Sequence, residues 1–145
     1  MDVRDAVEAD ADDLAAIVDA PADVMRNVVH DRTVRVAVRR DDSGPNADVD
    51  AEGDESILGF VSFDARDDIV YVTQLGGTTD ACEQLLAEPV RFATNERMKV
   101  ELFVENDDDA LRSAVESAGF GMEGPGPSFD GQQTVKYRLE PNPRR

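Results

Sequence analysis

The order in which two hydrophobic periodicities alternate is the strongest constraint on how this chain can fold. Segments with an apolar residue at every second position predict strands, and segments with apolar residues three and four positions apart predict helices. The chain then runs strand, helix, helix, three strands, helix, strand, helix, strand. The predicted strands are 3–7, 33–38, 57–64, 69–75, 99–104 and 134–139.

Residues that begin or end helices mark the helical segments. Asp10 is the predicted N-cap of the first helix, and Pro21 opens the second. The third helix, 79–97, contains Pro89, which we expect to kink it. The fourth, 107–118, ends before Gly119, a residue suited to a left-handed cap. The predicted buried side of the third helix consists of Cys82, Leu85, Leu86, Phe92 and Ala93.

The length of 145 residues suits one domain, which we assign to 1–140 with 141–145 as a tail. Segment 41–56 is rich in acids, carries Gly44, Pro45 and Gly53, and has little to bury, so it predicts a flexible acidic loop. Glycine and proline alternate over 124–127, which predicts a turn-rich loop.

The charge of the chain is strongly negative, with 32 acidic against 15 basic residues and a net charge of −17. Lysine occurs at Lys99 and Lys136, and the other cations are arginine. Acids scattered along the whole chain are typical of proteins that work in molar salt, where the Debye length falls to about 3 Å. The alternative, an acidic docking patch for a cationic partner, would be local. The same field argues against binding nucleic acid.

Cysteine usage and hydropathy indicate the compartment. Cys82 is the single cysteine, so no internal disulfide can form, which suits a reducing cytoplasm. The segment 1–5 shows no apolar signal region, and no run approaches 18 apolar residues. We therefore expect a cytoplasmic protein that does not cross a membrane.

The segment between Val70 and Phe120 carries an ordered series of short motifs. They are the strand Val70-Tyr71-Val72, the pairs Leu85-Leu86 and Phe92-Ala93, the strand 100–104, Asn106, and Gly119-Phe120. Their order and spacing resemble the GNAT N-acetyltransferase superfamily, and the resemblance extends over nearly the whole chain. It implies an α/β (α+β) protein with the GNAT-like acyl-CoA N-acyltransferase fold, in which helices flank a mixed, mostly antiparallel sheet.

The resemblance also implies a reaction and a set of site residues. The activity would be transfer of an acyl group from acetyl-CoA, or another acyl-CoA, to an unknown small-molecule or peptide amine. Loop amides would hold the CoA pyrophosphate, and the fourth strand would bind the pantetheine arm. Asp68 and Asn106 are the candidates for a catalytic role, and no metal is implied. The implied cofactor-binding residues are Tyr71, Val72, Thr73, Gly76, Gly77, Thr78, Thr79, Cys82 and Asn106.

Four positions depart from the family pattern. Gly77 stands where the family has Gln or Arg, and Asp80 where it has the central glycine. Cys82, which is small, stands at the final Gly or Ala position, and Val115 where the family has a proton-donating Tyr. Asp80 would place a carboxylate beside a diphosphate, or else cap the following helix. The sequence therefore leaves open a second interpretation, a catalytically inactive GNAT-like module that binds a ligand or a protein, with a homodimer as one form of it.

Other polar residues have simple structural interpretations. Gly76-Gly77 can serve as a strand terminator, and Asp67-Asp68 as a solvated turn. Glu101 and Glu105 are expected on one exposed face of a strand, and the acids of 106–109 are expected to cap a helix rather than to bind a metal. We expect Cys82 to be a small core residue. Tyr137 is expected to pack on the sheet unless the fold brings it to an acyl site.

Overall fold

The computed structural model of the protein describes residues 1–40, 55–128 and 131–140. Within these ranges one seven-stranded sheet has the order β1-β2-β3-β4-β5-β7-β6. The β4–β5 pair is parallel, and the other five pairs are antiparallel. The strands are β1 (Asp2–Asp5), β2 (Thr33–Arg40), β3 (Glu55–Arg66), β4 (Ile69–Gly77), β5 (Lys99–Glu105), β6 (Gly121–Pro125) and β7 (Thr134–Leu139).

Helices cover both faces of this sheet, as the sequence predicts. A short 3-10 helix, Glu8–Asp10, leads into the first α-helix, and the third α-helix continues through Pro89, which is buried. No helix in the described ranges has both the length and the apolar character of a membrane span. The α-helices are α1 (Ala11–Val18), α2 (Ala22–Asp31), α3 (Thr79–Glu96) and α4 (Asp109–Ser117).

Two hydrophobic cores hold the layers together. Leu85 and Leu86 of α3 and Val115 of α4 pack against the central strands on one face. Leu14 of α1 and Met25 of α2 pack on the other face, over the first strands. The prediction that Phe92 is a core residue is wrong. Phe92 is 42% exposed, and its ring meets the core through a tilted contact with the Phe63 ring.

The boundaries of two predicted loops differ from those in the structure or extend beyond its described residues. The 41–56 prediction falls on residues 41–54, which lie outside the described ranges, while Glu55 and Ser56 already belong to β3. The 124–127 prediction is partly wrong, because Gly124 and Pro125 end β6, a strand that periodicity does not reveal. β6 pairs with β7 alone, so it is an edge strand whose side chains need no apolar alternation.

Two turns match their predictions. Asp67 and Asp68 both have positive φ, at 54° and 68°, which is the backbone of a two-residue hairpin turn between β3 and β4. Gly119 follows α4 with φ +101°, and its amide donates to the Glu116 carbonyl, so the left-handed helix end is confirmed.

Asp10 holds the first strand against the first helices. It occupies the predicted N-cap position, but its carboxylate makes no cap bond to α1. Instead it accepts hydrogen bonds from the Val7 amide at 2.8 Å and from two nitrogens of Arg4 at 2.9 and 3.1 Å. Burial by itself would raise the pKa of Asp10, but the bonds from Arg4 and Val7 outweigh it, so the pKa lies below the ordinary 3.8.

We predict that Asp10→Asn lowers the free energy of unfolding by about 1–3 kcal/mol at neutral pH, because a buried charge-assisted interaction is lost. A lowered pKa stabilises the fold above the unfolded value and loses this effect as pH falls through the folded value. The difference between variant and native protein should therefore shrink in acid. Urea unfolding at two pH values measures it.

Asp12→Asn is the matched control, because Asp12 is an exposed acid in the first turn of α1. We expect it to change stability by less than about 0.5 kcal/mol. Equal losses in the two variants would contradict the role given to Asp10.

Candidate functional site

The strands β4 and β5 separate after a short parallel contact. Pairing joins Ile69, Val70 and Tyr71 to Lys99, Val100 and Glu101. No further pair joins these two described strands, although β4 continues to Gly77 and β5 to Glu105. Strands that diverge leave backbone groups facing a gap, where a ligand can satisfy them. Of the residues predicted to bind a pantetheine arm, Tyr71 forms the last pair, and Val72 and Thr73 follow it along the gap.

A cavity of about 280 Å³ lies at the end of β4, next to this gap. Its walls come from the C-terminal turn of α1, the last residues of β4, the first turn of α3 and the start of α4. Four of the predicted site residues line it: Gly76, Gly77, Thr79 and Cys82. The fold thus brings together residues that the resemblance implied for a cofactor loop.

The glycine pair at the end of β4 fits the close packing of β3 on Gly77 and of α1 on Gly76. Gly77 has φ +124°, and a Cβ on it would collide with the Gly59 Cα and the Leu58 carbonyl oxygen. A Cβ on Gly76 would lie 2.9 Å from Ile17 Cγ2, and one on Gly59 would lie 2.6 Å from the Gly76 oxygen. The close approach of β3 and of Ile17 in α1 therefore explains these glycines without a ligand.

The start of α3 leaves two backbone amides unpaired. Thr78 is the N-cap, since its Oγ1 accepts from the Ala81 amide at 3.1 Å, so the cap is Thr78 and not Asp80. The Thr78 amide itself donates to the Leu58 carbonyl at 3.0 Å. The amides of Thr79 and Asp80 have no partner among the described residues. Adjacent free amides at the N-terminus of an 18-residue helix favour an anion.

The carboxylate in the cavity wall is Asp108, which the sequence did not single out. Asp80 is exposed and is not among the wall residues. Asp108 is the N-cap of α4, where its Oδ1 accepts from the Leu111 amide at 3.2 Å. This confirms that the acidic run 106–109 includes a helix cap, and it places a negative charge in the wall of the cavity.

Cys82 is a buried thiol in the same wall. Burial, with a smaller contribution from the charge of Asp108, raises its pKa to about 11. The thiol is therefore protonated at neutral pH and is not a nucleophile there. Its 3% exposure agrees with the expected role as a small core residue.

The two candidates for catalysis are not brought to the cavity. Asp68 lies in the turn at the opposite end of β4, nine residues before Gly77, or about 25–30 Å along an extended strand. Asn106 is exposed, and its backbone groups bond to the Gln133 carbonyl and the Arg112 side chain. The wall residue that follows β5 is Asp108, two positions further on.

The packing of β5, β7 and α4 settles two other expectations. Tyr137 is fully buried, and its hydroxyl donates to Glu116 and accepts from Arg112, so it packs between sheet and helix away from the cavity. Glu101 was expected to be exposed, which is wrong: it is 5% exposed and bonds to Arg138 at 2.8 Å and to Lys136 at 3.5 Å. Strand alternation could not reveal a cross-strand cation as its partner.

One further polar group was missed by sequence reasoning. The Oε1 atom of Gln74 is buried and has no hydrogen-bond partner among the described residues. The signal in the sequence was a glutamine between Thr73 and Leu75, within a predicted strand. Its position lies between the last β4–β5 pair and the cavity.

Comparison of the whole fold identifies its type. The chain is similar to an acetyltransferase of the GNAT family from Desulfovibrio desulfuricans, with 18% identity, 96% and 98% of the two chains covered and a TM-score of 0.69. It is similar to ribosomal-protein-alanine N-acetyltransferase from Brucella melitensis, with 16% identity, coverage of 97% and 99% and a TM-score of 0.72.

A third similar structure is NAA60 from Arabidopsis thaliana in complex with a bisubstrate analogue, with 18% identity, 99% of both chains covered and a TM-score of 0.74. The same plant protein is also solved with acetyl-CoA. No family model and no curated protein matches the sequence. The chain therefore has the GNAT N-acetyltransferase fold, and the predicted fold class is confirmed.

We predict that Gly77→Ala destabilises the protein by about 2–4 kcal/mol, because the new methyl group collides with the β3 backbone at a positive φ. The matched control is Gly121→Ala in β6, where an added Cβ meets nothing within 4 Å. Thermal unfolding of both variants measures the difference. Similar melting temperatures of the two variants would contradict the prediction, because they would mean that β3 moves to accommodate the new methyl group.

Proposed function

We propose that the protein is an N-acyltransferase that moves an acyl group from acetyl-CoA, or another acyl-CoA, to a small-molecule or peptide amine. One observation carries the proposal: β4 separates from β5 after Tyr71 and ends at a cavity beside two unpaired amides of α3. The complex of a similar fold with acetyl-CoA supports the choice of donor.

The residues of the site fit such a cofactor. The amides of Thr79 and Asp80, at the positive end of the α3 dipole, suit the CoA diphosphate. The backbone of Val72 and Thr73 borders the gap and suits the pantetheine arm. Gly76, Gly77, Thr78 and Cys82 form the loop and wall between these two parts.

The chain's own residues mainly position the reactants. A bound acyl-CoA supplies an acyl group activated as a thioester. The start of α3 and the gap between β4 and β5 would hold the donor, so that an amine bound next to its acyl group reacts in a local rather than a bimolecular step. Because the Cys82 thiol stays protonated, the amine would take the acyl group directly rather than through this cysteine. A C–N bond would replace the thioester C–S bond, and CoA would leave as the free thiol with the proton that the amine loses.

A second candidate function is binding of CoA without transfer. The observation that favours it is Val115, a fully buried apolar residue at the position where the family carries a proton-donating Tyr. Asp108 adds a like charge near the expected diphosphate. A protein of this kind would serve as a ligand-binding or interaction module, alone or as a homodimer.

We further propose that the protein works in the cytoplasm of a cell with a high internal salt concentration and does not bind nucleic acid. The support is the excess of 32 acidic over 15 basic residues. The unbalanced negative charges repel one another in dilute buffer. Concentrated KCl screens this repulsion and is the appropriate medium for measuring activity.

The test of function measures binding and transfer separately in molar KCl. Acetyl-CoA at about 100 times its Kd should stabilise the fold by about 2.7 kcal/mol and raise Tm by several degrees. Thiol release with a panel of primary amines then reports transfer. A thermal shift without thiol release would favour the second candidate function. No shift at any CoA concentration would overturn both.

We predict that Asp108→Asn tightens CoA binding by about tenfold at low salt, because it removes a carboxylate from the cavity wall. Asparagine is also a good N-cap, so α4 keeps its start. The gain should shrink in molar KCl, where charges are screened. Titration calorimetry at two salt concentrations measures both effects.

Asp109→Asn is the matched control, because Asp109 is an exposed acid on the next residue and is not among the wall residues. It removes the same net charge from the protein. If it tightened binding as much as Asp108→Asn does, the effect would belong to the overall charge and not to the cavity.

A further inference from the structure

We propose that the acceptor amine is an α-amino acid with an apolar side chain. Its side chain lies on Phe103, its carboxylate binds Lys136, and its amine faces the gap between β4 and β5. The proposal rests on the proposed function, because it names the class of amine that the same site takes. It is carried by one face of β5 and β7 that the helices leave uncovered.

The strands β5 and β7 turn opposite faces to the core and to the outside. Alternate residues of both strands belong to the core under α3 and α4, namely Val100, Leu102, Val104, Val135 and Tyr137. The residues between them point to the other face. There the core under α1 and α2 contains no described residue of β5 or β7. We call this part of the sheet the open face, and it consists of Glu101, Phe103, Lys136 and Arg138.

Phe103 is an exposed aromatic residue beside the gap. It is 41% exposed, and it lies two residues beyond Glu101, the last residue of β5 that pairs with β4. On its other side it pairs with Lys136 of β7. A Cβ on Gly126 would lie 2.6 Å from Phe103 Cδ1, so the chain after β6 forms a wall beside the ring. An apolar group that rests on this ring is therefore partly enclosed, with the gap on one side and Lys136 on the other.

Lys136 carries the surplus positive charge of the open face. The buried Glu101 carboxylate accepts two hydrogen bonds from Arg138, at 2.8 and 3.1 Å. Lys136 Nζ lies 3.5 Å from the other Glu101 oxygen and makes no hydrogen bond among the described residues. Glu123 and Glu140 lie 3.9 and 3.7 Å from Arg138. One buried carboxylate thus faces two cations, and the Lys136 ammonium keeps its donors for an anionic ligand.

The charge of this face selects the chemistry of the ligand. In a chain with a net charge of −17, most of the surface repels a carboxylate, whereas Lys136 attracts one. A polyamine carries no anion for Lys136 and is repelled by it. The acceptor must therefore combine an amine with a carboxylate and an apolar group that fits Phe103.

The width of β5 limits the distance between the two charged groups. Neighbouring strands lie about 4.8 Å apart, so a ligand that spans β5 from the gap to Lys136 is short. An α-amino acid has its amine and its carboxylate on one carbon, and the flexible lysine side chain covers the remaining distance. The product is the N-acyl amino acid, in which a C–N bond replaces the thioester C–S bond. CoA leaves as the free thiol with the proton that the amine loses.

The experiment measures thiol release from acetyl-CoA in molar KCl with three acceptors. L-Phenylalanine has all the required groups, L-phenylalaninamide lacks the carboxylate, and L-alanine lacks the ring. We expect kcat/KM to be highest for phenylalanine and about tenfold lower for each of the other two, since each loses one contact.

Two variants assign the contacts to their side chains. Lys136→Met should lower kcat/KM for phenylalanine about tenfold and leave the value for phenylalaninamide unchanged. Phe103→Ala should lower the value for phenylalanine by a similar factor and leave the value for alanine unchanged. Lys99→Met is the matched control, because it removes the same charge from the end of β5 that pairs with β4. It should alter no acceptor preference.

Binding is also measured without turnover. Free CoA has no acyl group to transfer, so native protein with free CoA can be titrated with L-phenylalanine. The backbone NMR signals of Phe103 and Lys136 should shift, and those of β1 should not. This readout depends neither on activity nor on the stability of any variant.

The outcomes distinguish this inference from the proposed function. If phenylalanine shifts these signals but no amine releases thiol, the proposed transfer fails and the open face stands as an amino-acid site. If amines release thiol but phenylalaninamide reacts as well as phenylalanine, the transfer stands and this inference is wrong. An equal effect of Lys136→Met on both acceptors would also overturn it. The absence of both signal shifts and thiol release would overturn both proposals.

Discussion

The close packing of β3 against the end of β4 is the constraint on which the site depends. Gly77 can turn the chain into α3 because it has no side chain to collide with Gly59 and Leu58. The Leu58 carbonyl then accepts the Thr78 amide, which fixes the first residue of the helix to the sheet. The next two amides are left unpaired beside the cavity. A steric condition between two strands therefore creates a local positive potential at the end of a helix.

The electrostatics of the site combine two opposite contributions. The amides at the start of α3 attract an anion, and the Asp108 carboxylate in the same cavity wall repels it. Asp108 is held there because it also caps α4, so the charge is a consequence of how that helix begins. In concentrated salt the repulsion is screened more than the short-range bonds to the amides. For a chain with a net charge of −17, the proposed anion site is therefore expected to bind more strongly in concentrated salt than in dilute buffer.

The fold could be read from the sequence more completely than the site. All four helices and six of the seven strands were predicted, because each has its own apolar period or capping residue. β6 was missed because an edge strand of Gly, Met, Glu and Pro has no buried face to impose a pattern. Glu101 was misjudged for the opposite reason: alternation marked it as exposed, but Arg138 on a neighbouring strand pairs with it. The cap of α3 is Thr78 and not Asp80. Both residue types are good N-caps, so only the backbone geometry decides which of these nearby residues caps the helix.

By itself the sequence determined the succession of elements, the acidic surface and the loop glycines, since these depend on residues close together in the chain. The tertiary structure alone decided where β4 leaves β5, which acid enters the cavity, and which face carries Gln74. The bulge at Thr73, where Phe63 pairs with Val72 but Ser62 pairs with Gln74, shows why. One extra residue in a strand reverses the alternation that follows it, and its presence depends on pairing with a strand more than ten residues away. Local periodicity contains no record of such a shift.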